Sequence, residues 1–173
     1  PCTWRSLRPM GAFVERLRTE VRSEGPVFRI FGYGNPFRQD DGAGHYLAPL
    51  LIEDLEKAGK GSCLWLGHQL LPEAASGIGP GDILVFVDAS LKKHPEGFAL
   101  EPVYPDKTSN PGLNIHSFRP PWFLALLGDL GMAYREAWSL SVTGESFDFD
   151  DGLTDACLDR SEKARDAFRK KFC

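Results

Sequence analysis

The run Phe28-Arg29-Ile30-Phe31-Gly32-Tyr33-Gly34-Asn35-Pro36-Phe37-Arg38-Gln39-Asp40-Asp41-Gly42-Ala43-Gly44 constrains the fold of this chain more than any other segment. A short apolar stretch, Val27 to Phe31, reads as a buried strand. The Gly-x-Gly-Asn turn ends it, because Gly32 and Gly34 admit torsions that other residues resist and Pro36 stiffens the loop. Two adjacent carboxylates, Asp40 and Asp41, then stand where a helix begins. Either can accept hydrogen bonds from the free N–H groups of that helix. One cap satisfies that need, which leaves the second carboxylate for another task.

Beyond this run, strand-like segments alternate with helical ones. That alternation predicts a three-layer α/β/α domain with a mostly parallel, twisted sheet and helices on both faces. From Asp41 to Lys57, the residues Ala43, Tyr46, Leu47, Leu50, Leu51 and Leu55 keep the 3.6-residue period of an amphipathic helix. Ser62 to Leu66 reads as the second strand and Pro72 to Ser76 as a short helix. The branched, continuous run from Asp82 to Ala89 is the candidate central strand. Phe98 to Tyr104 alternates, with prolines that suit an edge. Ser117 to Leu130 reads as loop then helix, Trp138 to Thr143 as the last strand, and Thr154 with Asp155 caps a final helix. Val27–Phe31 and Ile83–Val87 are expected as neighbouring interior strands. Residues 1–26 read as an N-terminal extension, helical from Ala12 to Arg22, and 27–173 as a single domain.

The net charge of −4 and pI near 5.6 argue against nucleic acid as partner, since nucleic acid favours basic surfaces. No apolar run approaches the roughly 20 residues of a membrane helix. Pro1 to Thr19 lacks the apolar core of a secretory signal. Cys2, Cys63, Cys157 and Cys173 form no CxxC pair; free thiols in a reducing cytoplasm are the expectation, and a monomer the expected state.

In an open α/β sheet, ligands bind outside the C-terminal ends of the strands. Three polar residues fall there by sequence: Asp41 after the first strand, Asp88 at the end of the central one, and His116 ahead of the helical Ser117–Leu130 segment. Each has a plainer reading, as helix cap, exposed loop acid and surface imidazole respectively. A charge closing a buried strand is costly unless it is solvated, paired or bound to a cation. Of the other histidines, His45 is expected to face solvent, His94 sits in a polar loop, and His68 is the best substitute for His116. Two carboxylates and an imidazole make a mixed oxygen and nitrogen set suited to nickel or zinc, without the thiolates of a closed zinc site. No Gly-x-Ser-x-Gly elbow and no His-Glu-x-x-His is present. Cys63, within a strand, and Cys157, within a helix, are poor nucleophiles by position.

The pattern Gly-x-Gly-Asn-x4-Asp-Asp-Gly-x-Gly, from Gly32 to Gly44, resembles the opening motif of the hydrogenase maturation endopeptidases. These enzymes remove the C-terminal tail of a nickel-containing hydrogenase large subunit. The resemblance runs from Val27 to the final helix. It implies that Asp41, Asp88 and His116 are both the catalytic and the metal-contacting residues. It implies nickel supplied by the client, so that the resting enzyme need hold no metal, and a large-subunit precursor as partner. Gly34, Asn35, Asp40, Glu73 and Glu145 would line the cleft. Asp41 replaces a common Glu, and Pro120-Pro121 departs from the family after the histidine. A receiver-like module also places acids after strands one and three, but Ser141 to Glu145 offers no lysine. A dinucleotide site fits poorly because Pro36-Phe37 interrupts the glycine pattern and two acids oppose phosphate.

Overall fold

The computed structural model of the protein describes residues 26–108 and 119–173. Among the described residues, five strands form one sheet in the order β2-β1-β3-β5-β4, with β1 Phe28–Tyr33, β2 Ser62–Gly67, β3 Ile83–Ser90, β4 Phe98–Pro102 and β5 Glu136–Thr143. All pairs are parallel except β4 with β5, which is antiparallel. Pro102, the last residue of β4, sits on that edge strand, where a missing donor is tolerated. As the sequence predicts, β1 and β3 are interior neighbours, with Phe28 opposite Ile83 and Gly32 opposite Val87.

Helices α1 (Ala43–Lys57) and α3 (Asp155–Phe172) cover one face; α2 (Pro120–Asp129) and a 3-10 turn at Pro72–Ala75 cover the other. The central strand divides its side chains between two cores. Ile83, Val85 and Val87 pack with Leu47, Leu51 and Phe168. Leu84 and Phe86 pack with Phe31, Phe123 and Leu127. This double burial is why β3 reads as an unbroken apolar run. A bidentate pair, Arg165 to Asp54 at 2.6 and 2.8 Å, ties α3 to α1.

Several boundaries differ from the periodic reading. β1 continues through Gly32 and Tyr33, because parallel pairing with β2 runs to Gly67. The Asp40-Asp41 segment is a 3-10 turn, Gln39–Gly42, preceding α1. Neither aspartate caps a helix: Gly42 occupies the N-cap of α1 and no side chain bonds there. Thr154 does cap α3, its hydroxyl accepting from the Cys157 N–H. The predicted Ala12–Arg22 helix lies outside the described residues. Among the described residues no helix is long and apolar enough to cross a membrane.

Candidate functional site

The turn after β1 is built around Asp41. Gly34 sits at φ 126°, and a Cβ there would stand 1.9 Å from the Asp41 carbonyl oxygen. Only glycine permits this approach. The Asn35 N–H then donates to the Asp41 carboxylate at 2.8 Å, while the Asn35 side chain accepts from the Phe37 N–H at 3.0 Å. Gly44 lets α1 press against the strand ends; a Cβ there would meet the Tyr33 and Val87 carbonyl oxygens at 2.3 and 2.6 Å. Gly34, Asn35 and Gly44 therefore aim Asp41 at the C-terminal end of β3.

Asp88 waits there. Its position two residues after Phe86 puts it on the α2 side of the sheet, one step beyond the register that faces β1. Burial, then the Asp41 charge, pushes the Asp88 carboxyl up to about 7. The two carboxylates are thus electrostatic neighbours at the sheet's C-terminal edge, a repulsive pair that a cation would relieve. Among the described residues no three His, Cys, Asp or Glu side chains could hold a metal ion together. His116 lies outside the described residues.

Asp40 departs from the cleft-lining expectation. It is fully buried, and its carboxylate accepts from the N–H groups of Glu145, Ser146 and Thr154 at 2.7, 3.2 and 2.7 Å and from the Thr154 hydroxyl at 2.9 Å. Burial would raise its pKa; the donors outweigh burial and hold it below 3.8. The stabilisation is therefore intact above about pH 4 and lost as pH falls further. The adjacent acids divide their work: Asp40 pins the β5–α3 loop, Asp41 faces the site. Asp40→Ala is expected to cost about 3–4 kcal/mol in urea unfolding, since four donors lose a buried charged acceptor. A loss below about 1 kcal/mol, the level of an ordinary substitution, would show that this brace is dispensable.

Glu73 is exposed on the turn after β2. Glu145 pairs with Arg160 at 2.7 Å and borders a groove of about 740 Å³ between the β3–β4 loop and α3. That groove contains neither Asp41 nor Asp88. His94 also lines it, in contact with the Ser141 hydroxyl at 3.1 Å.

His45 does not face solvent as expected. Its Nε2 lies 2.9 Å from the Gly67 carbonyl oxygen, and its ring meets His68 edge-on with centroids 6.3 Å apart. Burial lowers its pKa, the Gly67 hydrogen bond opposes that, and His68 adds to the lowering. Its spacing of four from Asp41 is the signal that could have found it. Tyr33 was missed as well. Burial, then Asp88, raises its phenol well above 10.0, while Arg119 works the other way.

No protein-family model and no curated protein matches the chain. Solved structures do. The hydrogenase maturating endopeptidase HybD from E. coli is 21% identical, over 85% of this chain and 94% of that one, with a TM-score of 0.59. The fold is that of the hydrogenase maturation endopeptidases. The NiFe hydrogenase maturation protease HybD from Thermococcus kodakarensis is 19% identical over 84% and 98%, TM-score 0.55. HycI from Thermococcus kodakarensis KOD1, another such protease, is 17% identical over 84% and 90%, TM-score 0.55. At these identities the likeness is one of fold, over 84–85% of this chain.

Proposed function

We propose that the protein is an endopeptidase of the hydrogenase maturation type. It would remove the C-terminal tail of a hydrogenase large-subunit precursor and use nickel held by that client to recognise a loaded substrate. The observation that carries this reading is the Asp41–Asp88 pair at the C-terminal edge of the sheet, with Asp88 pushed up to about 7 by burial and by Asp41. A carboxylate left in that state is kept against its own cost, which points to a cationic visitor.

His116 would complete the set. The resemblance supports it, since it assigns His116 the nitrogen donor beside the two carboxylates. The donor types, two oxygens and a nitrogen, suit a borderline divalent ion whose remaining positions the client fills. Brought as part of the substrate, the ion would supply Lewis-acid chemistry at the scissile region, with Asp41 or Asp88 as the candidate proton acceptor.

The test is incubation with nickel-loaded and nickel-free precursor, reading tail release by mass. Release from the loaded form alone is expected. Release from both would remove nickel as the recognition element. Metal-dependent binding without any release would instead favour a diverged, non-proteolytic metal-binding relative.

A further inference from the structure

The His45 side chain is not one of the paired carboxylates, yet it is drawn out of solvent to the backbone of Gly67 and Gly34, within reach of the Asp41 charge. Gly67 is the last residue of β2, and its carbonyl accepts twice, from the Gly34 N–H at 3.2 Å and from His45 Nε2 at 2.9 Å. A carbonyl only accepts, so Nε2 carries the proton in this contact. Gly34 is the residue whose backbone fits against Asp41, and the next N–H, that of Asn35, donates to the Asp41 carboxylate. A continuous path of hydrogen bonds therefore runs from the His45 ring through Gly67 and the Gly34–Asn35 turn to Asp41.

Apart from the Asp40 brace to the β5–α3 loop, the first turn of α1 has little support of its own. Gly42 and Gly44 are poor helix residues. Neither the N-cap of α1 nor that of the preceding 3-10 turn has a side-chain bond. Pro49, inside the helix, lacks the N–H that would bond the His45 carbonyl. The segment thus depends on ties to the sheet, and the imidazole supplies one at the level of the site.

We propose that His45 is a positioning residue, fastening the start of α1 and the Asp41 turn to the end of β2 so that Asp41 meets the client in one fixed place. The same ring seats His68, the residue after Gly67, by the edge-on contact. The role in catalysis rests on the proposed peptidase function; the tether itself does not.

The experiment compares His45→Leu, which removes the donor, with His45→Gln, whose amide N–H can reach the same carbonyl. Amide exchange is read residue by residue on the whole protein, with cleavage of nickel-loaded precursor measured in parallel. His45→Leu is expected to speed exchange at Gly34 and Asn35 by roughly tenfold or more, leaving Val85 and Phe86 in the core protected. It should lower kcat about 10–100-fold with little change in KM, the size of effect seen when a supporting residue is lost. His45→Gln should restore both. Unchanged exchange at Gly34 and Asn35 in His45→Leu, or a glutamine variant no better than the leucine one, overturns the proposal. A parent protein that cleaves no precursor sinks the peptidase reading alone, because the exchange arm still decides whether the tether exists.

Discussion

Asp88→Asn is expected to give a protein that is more stable and no longer processes its client. In the folded chain the Asp88 carboxyl is raised from 3.8 to about 7, first by burial and then by Asp41. A group whose pKa is raised by folding contributes stability below its unfolded value and loses it as pH climbs through the folded one. The parent should therefore pay a rising penalty between about pH 4 and pH 7, and hold it above that range. Asparagine has the same shape and no charge to bury. With each unit worth 1.36 kcal/mol and a discount for the water that reaches a half-buried group, the gain at pH 8 is about 2 kcal/mol. For a chain of this size that is roughly 4–8 °C in Tm. Thermal unfolding of both proteins at pH 8 and near pH 4 checks it. The gain should be present at the first and nearly absent at the second, and precursor cleavage should fall more than about 100-fold, beyond what a supporting residue contributes. An equal shift at both pH values would mean that packing, and not the buried charge, separates the two proteins. Stability gained together with activity lost is the signature of a residue retained for function.

Much of this was legible in the sequence because the responsible forces are local. Continuous burial of Ile83 to Val87 on both faces leaves an unbroken apolar run, and the 3.6-residue period of α1 marks its buried stripe. The Gly-x-Gly-Asn turn is readable because Gly34 at φ 126° admits no side chain. What stayed hidden depends on contacts across long separations. Asp40 looks like a helix cap until the donors of Glu145, Ser146 and Thr154 arrive from the far end of the chain. His45 looks like a solvent-facing residue on a helix until the end of β2 brings the Gly67 carbonyl beneath it. Tyr33 reads as a turn residue, though parallel pairing with β2 keeps it in β1 beside Asp88. The division of labour between Asp40 and Asp41 follows from the 3-10 turn that carries them, which sends successive side chains in different directions.

His116→Ala is expected to abolish processing of nickel-loaded precursor while the parent's thermal midpoint is kept. Asp41 and Asp88 supply oxygen only, and two carboxylates alone favour harder cations than nickel. An imidazole is the donor that would tilt the site toward a borderline ion, so its loss should remove recognition of the loaded client as well as turnover. Loss of a direct ligand should exceed the roughly 10–100-fold effect of supporting residues such as the one proposed for His45. Binding of loaded and nickel-free precursor, measured beside cleavage, separates the two failures. In His116→Ala the preference for the loaded form should disappear, whereas in His45→Leu it should persist with slower turnover. A His116→Ala protein that still cleaves at the parental rate would take His116 out of the mechanism. His68→Ala then becomes the deciding variant, because His68 follows the Gly67 carbonyl that anchors the Asp41 turn and packs against His45 at the same edge of the sheet.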